Sequence, residues 1–184
     1  METRQWHKTL NGKTYTISTA PNLLPLSFIQ EAFNKPAMYW ANPLPTSTLQ
    51  TMLDNSCTFG LYVSPTITTT TTTEANDKDK TMLPIGMARL VTDYVTLAYL
   101  TDVYVLDEYQ GLGLGKWMVR CCRELVADMP ALRFMVLLTG SAQAQSLYKR
   151  ELGMRPMVSE EVGLTAMGAR KEWLLEALVH MEID

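Results

Sequence analysis

Histidine and cysteine are scarce in this chain, whose 184 residues include two histidines and three cysteines. His7 and His180 lie near opposite ends of the sequence, and neither has the spacing from cysteines or carboxylates that zinc ligands show. Cys57 and the adjacent pair Cys121 and Cys122 form no CxxC motif. A zinc site and a nucleophile activated by histidine are therefore disfavoured. We expect free, mostly buried thiols and no metal cofactor.

Long apolar runs and a strong charge of either sign are also missing. No window approaches the roughly 20 apolar residues that span a bilayer, and the first ten residues lack the apolar centre of a secretory signal. The 16 basic and 19 acidic residues give a net charge of -3, so the chain has no overall attraction for nucleic acid or anionic membranes. We therefore expect a soluble, cytoplasmic protein that binds neither.

The remaining composition is ordinary. Hydrophobic residues make up 47% and charged residues 19% of the chain, as in an average globular protein, so the chain can bury a core. At roughly 150 residues per domain, we predict a single domain that spans residues 1–184. Because composition by itself names no activity, any function must be inferred from local motifs.

Hydrophobic periodicity predicts a mixed α+β fold. A period of two residues predicts strands, and apolar residues spaced by three or four predict helices. The uninterrupted apolar run at 132–138 is typical of a strand covered on both faces. The polar, threonine-rich segment 65–80 predicts a loop. We predict strands at 13–19, 57–64, 83–93, 96–106 and 132–138, with a further strand near 154–158 as an option, and helices at 22–35, 47–55, 114–128, 141–152 and 165–181.

A glycine-rich segment, 109–116 (YQGLGLGK), joins a predicted strand to a predicted helix. Such a junction directs unpaired backbone N–H groups and the positive end of the helix at one point, which suits a phosphate group. The segment is not a P-loop, because Gln110 stands where the first glycine is required and Trp117 follows Lys116. It is not the GxGxxG dinucleotide fingerprint either, because its three glycines alternate as GxGxG.

The positions of Gln110, Gly113 and Gly115 fit the pattern Q/R-x-x-G-x-G/A. This pattern resembles the pyrophosphate loop of the GNAT superfamily of acyl-CoA-dependent N-acetyltransferases, including its small single-domain branch in bacteria and fungi. The resemblance covers residues 83–157, where the predicted order of strands and helices also matches. The alternative for the glycines is a tight turn with close packing of helix on strand.

A second motif supports the resemblance. Residues 141–154 (SAQAQSLYKRELGM) are similar to the family signature N-x-x-A-x-x-L-Y-x-x-x-G-F. Ser141 replaces the usual Asn and Met154 replaces the usual Phe. The cofactor contact that the family assigns to this Asn therefore does not carry over.

The resemblance implies an α/β/α sandwich with a mixed, mostly antiparallel sheet, in which the central parallel strands 96–106 and 132–138 diverge. It also implies acetyl-CoA as co-substrate, with the pantetheine arm paired to strand backbone and the pyrophosphate held by the main chain of the glycine loop. An added Cβ at Gly113 or Gly115 should then matter more than changes to the neighbouring leucines. The implied cofactor-binding residues are Val103, Tyr104, Val105, Gln110, Gly111, Leu112, Gly113, Leu114, Gly115 and Lys116.

The resemblance further implies roles for individual side chains. Tyr148 matches the catalytic position whose hydroxyl can protonate the departing CoA thiolate; the alternative is a core tyrosine with a satisfied hydroxyl. Tyr39 and Trp40 fall in the segment that faces the substrate, unless they are ordinary packing residues. Lys149 and Arg150 could reach the CoA phosphates or simply face solvent.

The catalytic base has several candidates. Asp102 is a carboxylate in an otherwise apolar strand, where an unpaired charge would be costly, so we expect it to face a cleft or a cation. Arg89 on the preceding strand is the candidate cation and also a candidate substrate contact. Asp93, Tyr99 and Thr101 are alternative bases, and a chain of water molecules would also serve.

Together these features predict transfer of an acetyl group from acetyl-CoA to the amine of a small molecule, by direct attack within a ternary complex. One alternative is a non-catalytic CoA-binding or regulatory module, which would lack a working acid and base. Another is a protein N-acetyltransferase, for which the net charge of -3 is permissive. The helix predicted at 165–181 packs either on its own core or on a second copy in a homodimer.

Overall fold

The computed structural model describes residues 2–64 and 82–157. Within them six strands form one sheet, in which neighbours along the chain are also neighbours in space. The first four pairings are antiparallel, whereas the last two strands run parallel. The strands are β1 (Gln5–Leu10), β2 (Lys13–Ser18), β3 (Cys57–Val63), β4 (Leu83–Thr92), β5 (Leu97–Val105) and β6 (Phe134–Val136).

The described helices are α1 (Leu26–Phe33), α2 (Thr46–Asp54), α3 (Leu114–Ala127) and α4 (Ala142–Leu152). They cover both faces of the sheet, α1 and α2 on one face and α3 and α4 on the other. On β3, Phe59 and Leu61 lie in the cluster with α3, whereas Tyr62 lies in the cluster with α1, because successive strand residues point to opposite faces. The predicted α/β/α sandwich with a mostly antiparallel sheet is confirmed.

The ends of the helices follow local sequence signals. α1 begins four residues after the predicted start at 22, because Pro25 has an extended backbone immediately before it. At α4, Ser141 Oγ accepts a hydrogen bond from the N–H of Ala144 at 3.3 Å. Gly153 then ends α4 with a φ of 67°, which confirms the predicted helix stop.

The sequence interpretation missed β1. It pairs with β2 through a hairpin whose two turn residues, Asn11 and Gly12, have φ angles of 51° and 72°. Positive φ at both positions is the type I′ geometry that Asn-Gly favours. The alternating segment before Asn11 together with this dipeptide was a usable hairpin signal.

The prediction for residues 132–138 is wrong in extent and in burial. β6 has only three residues and pairs with one strand among those described, β5. Phe134 is 43% exposed and Leu138 is 85% exposed, so the segment is not covered on both faces. An apolar run shows that a strand has side chains suited to burial. The position of the strand in the sheet decides how many of them are buried.

Some predictions fall outside the described residues, namely the loop at 65–80 and the helix at 165–181. Of the strand suggested near 154–158, residues 154–157 are described and form no strand. Contacts divide the chain into two units, Met1–Leu152 and Gly153–Asp184, and the strands β1 to β6 and helices α1 to α4 lie in the first. None of the described helices is long and apolar enough to cross a membrane.

All three cysteines are free and buried, as predicted. Burial raises the pKa of the Cys57 thiol to about 11 and that of the Cys121 thiol to about 12, and it raises the pKa of Cys122 well above its usual value. These thiols therefore stay protonated at neutral pH and serve as small packing groups.

Glu151 in α4 is the centre of an ion cluster between α3 and α4. Its carboxylate accepts hydrogen bonds from Arg150 Nε and Arg120 Nε at 2.7 Å each, and it pairs with Lys116 Nζ at 3.3 Å. Its backbone carbonyl accepts a hydrogen bond from Arg123 at 2.9 Å. The hydrogen bond from Arg150, followed by those from Arg120 and Lys116, lowers the pKa of Glu151 to about 2.

Replacing Glu151 by Gln should lower the Tm at neutral pH, because three cations lose their shared anion. The pKa of Glu151 in the fold, about 2, lies below that of an unfolded glutamate, so its stabilising effect is complete above roughly pH 4.3 and is lost as the pH falls toward 2. The Tm difference between wild type and Glu151→Gln, followed by circular dichroism, should therefore shrink from about pH 6 to about pH 3.

Glu31→Gln, at an exposed position of α1, is the control for loss of a carboxylate without this cluster. A Tm difference for Glu151→Gln that stays constant across the same pH range would contradict the assignment of Glu151 as the anchor of the cluster.

Candidate functional site

The site begins where β5 and β6 diverge. The two strands pair only between Leu97–Tyr99 and Phe134–Val136, after which β5 continues to Val105 without a strand on that side among the described residues. The backbone N–H and C=O groups along this part of β5 are therefore open on one edge. The predicted divergence of the two parallel strands is confirmed, although β6 lies at the edge of the described sheet rather than at its centre.

A cavity of about 1190 Å³ fills the space opened by this divergence. One wall comes from β5 and β4, another from the segment after β6 and from α4, and a third from α1, α2 and the residues between them. Its lining includes Phe33, Tyr39, Trp40, Leu44, Met52, Arg89, Tyr99, Thr101, Asp102, Val103, Leu137, Leu138, Thr139, Gly140, Ser141, Ala144 and Tyr148.

A β-bulge interrupts β5 at this cavity. Arg89 pairs with Thr101, whereas Met87 pairs with Tyr104, so β5 contains one residue more than β4 at this point. Asp102 lies in the bulge with a φ of 53°, which is uncommon for a residue other than glycine. Before the bulge, Ala98 and Leu100 belong to the core cluster on the α3 side of the sheet. After it, Val103 and Val105 pack against that cluster. The bulge thus exchanges the faces of β5 and turns Asp102 toward the cavity.

Asp102 is held by three donors. Arg89 Nε donates to Asp102 Oδ2 at 2.7 Å, while Trp40 Nε1 and Thr101 Oγ1 donate to Oδ1 at 3.2 and 3.1 Å. The Asp102 side chain is 5% exposed and that of Arg89 is 13% exposed. The expected cationic partner of Asp102 is therefore Arg89. The role of Asp102 as base stays a prediction, and these contacts occupy most of the lone pairs that a base would need.

The alternative bases occupy different places. Tyr99 and Thr101 line the cavity. Asp93 instead lies in the turn between β4 and β5, where its Oδ1 accepts hydrogen bonds from the N–H groups of Val95, Thr96 and Leu97. The Thr96 hydroxyl, followed by these backbone N–H groups, holds the pKa of Asp93 far below its usual range. Asp93 is thus an anchor of the turn.

Tyr148 lies on the α4 wall of the cavity, opposite β5. Its side chain is partly buried against the cluster that includes α3. Burial, with a smaller contribution from Cys122, raises the pKa of Tyr148 above its ordinary value. The phenol therefore keeps its proton at neutral pH, as a general acid requires.

The glycine loop leads from β5 into α3. Gly111 and Gly113 both have a φ of 75°, and Gly113 is the N-terminal cap residue of α3. The first backbone N–H that bonds within the helix is that of Trp117, which reaches Gly113 O at 3.0 Å. The preceding N–H groups, which include that of Gly115, therefore have no partner inside the helix and can bind an anion.

The side chains of the loop hold its own structure. Gln110 Nε2 donates to Val105 O at 3.0 Å and to Asp107 Oδ1 at 2.9 Å, which ties the loop to the end of β5. Leu114 is fully buried in the core, and Leu112 packs on the same cluster. Changes at Leu114 will therefore destabilise the fold, although we expected changes at the loop leucines to matter less than an added Cβ at Gly113 or Gly115.

The basic residues predicted for the CoA phosphates lie around α3 and α4. Lys116 and Arg150 both contact Glu151. Both side chains nevertheless remain partly exposed to solvent. Lys149 is exposed on α4. Among the described residues there is no group of three or more His, Cys, Asp or Glu side chains that could hold a metal ion.

The structure brings together residues that the sequence interpretation treated separately. Tyr39 and Trp40, which follow α1, reach the cavity beside Asp102 and Arg89. Phe33 and the segment 137–141 also line it and were not predicted. No local motif marks these walls, because they become neighbours only when the strands and helices pack.

Comparison with known proteins gives one family. The model of the Acetyltransferase (GNAT) family matches residues 30–154. A protein of Gibberella zeae (strain PH-1), named as a candidate acetyltransferase, is 37% identical over 142 residues, which cover 77% of this chain and 79% of that protein.

Solved structures show the same likeness. A candidate GNAT-family acetyltransferase from Xanthomonas campestris pv. campestris has a TM-score of 0.59 at 27% identity and covers 84% of this chain and 93% of that chain. A GNAT-family acetyltransferase from Streptococcus pneumoniae TIGR4 has a TM-score of 0.53 at 16% identity, with coverage of 86% and 98%, and this shows the fold alone.

The structure separates the roles of two loop glycines. A Cβ at Gly113 forces a side-chain residue into the left-handed region at a cost of about 1–2 kcal/mol, so Gly113→Ala should lower the Tm. A Cβ at Gly115 would lie 3.7 Å from Val105 Cγ2, an ordinary contact, so Gly115→Ala should leave the Tm nearly unchanged. Thermal unfolding of the two variants checks this difference. Equal losses of Tm would contradict it.

Proposed function

Since this chain belongs to the GNAT acetyltransferase family, we propose that it transfers an acetyl group from acetyl-CoA to the amine nitrogen of a small molecule, by direct attack of the amine on the thioester in a ternary complex. The observation that carries the proposal is that β5, which has an open edge and lines the cavity together with the Tyr148 phenol, leads through the glycine loop into the N-terminus of α3.

The described residues fit acetyl-CoA. The unpaired N–H groups at the start of α3 suit a pyrophosphate, and Gly113 leaves the approach free of a side chain. The edge of β5 beyond Tyr99, where Val103, Tyr104 and Val105 follow, can pair with an extended arm that carries amide groups, although the C=O of Val105 is already bonded to Gln110. Lys116 and Arg150, which are partly exposed, add positive charge near this path. When bound, acetyl-CoA supplies the thioester that is cleaved.

The reaction requires one carbon–nitrogen bond to form and one carbon–sulfur bond to break. The neutral amine attacks the thioester carbonyl carbon, and backbone N–H groups of β5 polarise the carbonyl oxygen. The amine proton passes to water beside Tyr99 and Thr101, whose side chains line the cavity. Tyr148 donates its proton to the departing thiolate and regains one from solvent.

The two other candidate functions make different demands. A non-catalytic CoA-binding module has no use for a protonated tyrosine in the cavity, which Tyr148 lines. A protein N-acetyltransferase must admit a polypeptide, whereas Tyr39 and Trp40 stand at the mouth of this cavity. We therefore favour a small amine.

Acetyl-CoA titration followed by an amine assay tests the proposal. Isothermal calorimetry should detect binding of acetyl-CoA, and incubation with a panel of primary amines should release free thiol in step with acetylated amine. The chain of 184 residues is used for both measurements. Absence of acetyl-CoA binding would overturn the whole proposal, whereas binding without thiol release for any amine or peptide would favour the non-catalytic module.

Replacing Tyr148 by Phe tests the general acid. The variant keeps the ring that packs near α3 but loses the proton donor, so kcat should fall by roughly 10²–10⁴-fold with little change in the Kd for acetyl-CoA. Tyr15→Phe, at a buried tyrosine of β2 that lies outside the cavity lining, is the matched control and should keep its activity. An unchanged kcat for Tyr148→Phe would remove Tyr148 from the mechanism.

A further inference from the structure

Tyr39 and Trp40 form an aromatic strap across the opening between β5 and the segment after β6. Trp40 Nε1 donates a hydrogen bond to Asp102 Oδ1 at 3.2 Å on the β5 side. On the other side, Tyr39 Oη lies 3.7 Å from the position that a Cβ on Gly140 would take. The two rings contact each other edge to face, with centroids 5.0 Å apart. The strap is therefore bonded to β5 on one side of the gap and lies close to Gly140 on the other.

Both ends of the strap are fixed to the core. Met38, immediately before it, is buried under α1 and accepts a hydrogen bond from the N–H of Ala41 at 2.8 Å. After it, the side-chain amide of Gln30 in α1 bonds to both the N–H and the C=O of Leu44. The strap rings themselves are exposed, Tyr39 by 76% and Trp40 by 49%. Their position thus depends on few contacts, and the bond to Asp102 is the one directed into the cavity.

Asp102 is suited to hold Trp40 because the backbone and a second side chain already fix its own position. The bulge of β5 turns the carboxylate inward, and Arg89 fixes Oδ2 at 2.7 Å. An indole N–H that meets an ionised carboxylate forms a charge-assisted hydrogen bond, which is stronger and more directional than a neutral one. In this arrangement Asp102 influences the acceptor amine only by holding Trp40 in place, so Asp102 is a positioning residue.

The side chains that line the cavity beside the strap indicate which acceptor amine fits. Phe33, Leu44 and Met52 continue the apolar surface from the strap into the cavity. Among the lining residues that the structure describes, Arg89 and Asp102 carry the only charges, and they neutralise each other. A second positive charge on the acceptor would therefore lose its hydration without gaining an anion. An apolar or aromatic body would instead gain from burial.

We propose that the Tyr39–Trp40 strap, held by Asp102, forms the specificity wall of the acceptor site and selects primary monoamines with an aromatic or apolar body over polyamines. The proposal rests on the proposed acetyl transfer. It adds the class of acceptor and a role for Asp102 other than that of a base.

The first experiment compares 2-phenylethylamine with spermidine. With coenzyme A present, calorimetry should show tighter binding of the aromatic monoamine, and thiol release should give it a kcat/KM higher by about tenfold or more. Equal or better binding and turnover of spermidine would overturn the specificity proposal and leave the acetyl transfer intact. Preferential binding of 2-phenylethylamine without thiol release would overturn the acetyl transfer and support the specificity wall.

The second experiment removes the anchor of the strap. Trp40→Phe keeps an aromatic ring but loses the indole N–H, so the KM for 2-phenylethylamine should rise by about three- to tenfold while kcat and the KM for acetyl-CoA stay constant. Trp6→Phe is the matched control, because it removes another indole–carboxylate bond, to Glu124 Oε2 at 2.7 Å, on β1. An unchanged KM in Trp40→Phe would overturn the proposal.

Asp102→Asn distinguishes positioning from base catalysis. If Asp102 positions Trp40, the KM for the amine rises and the pH profile of kcat keeps its shape. If Asp102 is the base, kcat falls and the limb of the pH profile that reports deprotonation disappears, which would overturn the positioning role. If this variant does not fold, the KM measured for Trp40→Phe still tests whether the strap shapes the acceptor site.

Discussion

The buried ion pair between Arg89 and Asp102 lies where β4 and β5 lose their register, and the shape of the cavity depends on it. Removing one partner of such a pair leaves an uncompensated buried charge, at a cost of about 3–5 kcal/mol. Because Asp102 also adopts a positive φ, the pair holds a backbone conformation that would otherwise relax. The bulge at this point decides which side chains of β5 face the cavity and which face α3.

The divergence of β5 from β6 provides the second half of the site. Parallel pairing stops after Tyr99 and Val136, and the open strand edge then runs toward the glycine loop and the N-terminus of α3. The open edge of β5 thus offers backbone groups that can pair with amides, and the N-terminus of α3 that follows it along the chain offers N–H groups that can bind an anion. Tyr148 from α4 and the strap from the residues after α1 line the same cavity as β5.

Local signals in the sequence were reliable where one short segment decides the structure. Gly153 has the left-handed backbone that a glycine at a helix stop favours, and the glycine segment that ends at Gly115 leads from a strand into a helix as its sequence predicts. The hairpin of β1 and β2 was equally visible in Asn11 and Gly12 but was overlooked. The wrong prediction of a strand covered on both faces at 132–138 has a different cause. The apolar run around β6 does not show how many strands and helices will pack around it.

By itself, the sequence determined the family, the order of strands and helices from β2 to α4, and the loop that can bind an anion, because each of these follows from residue types at fixed spacing. Only the tertiary structure decided what Asp102, Arg89 and Trp40 do. Their contacts join three distant segments, and a one-residue bulge sets the direction of the carboxylate. Spacing along the chain cannot report such contacts, because they depend on how the strap, β4 and β5 pack against one another.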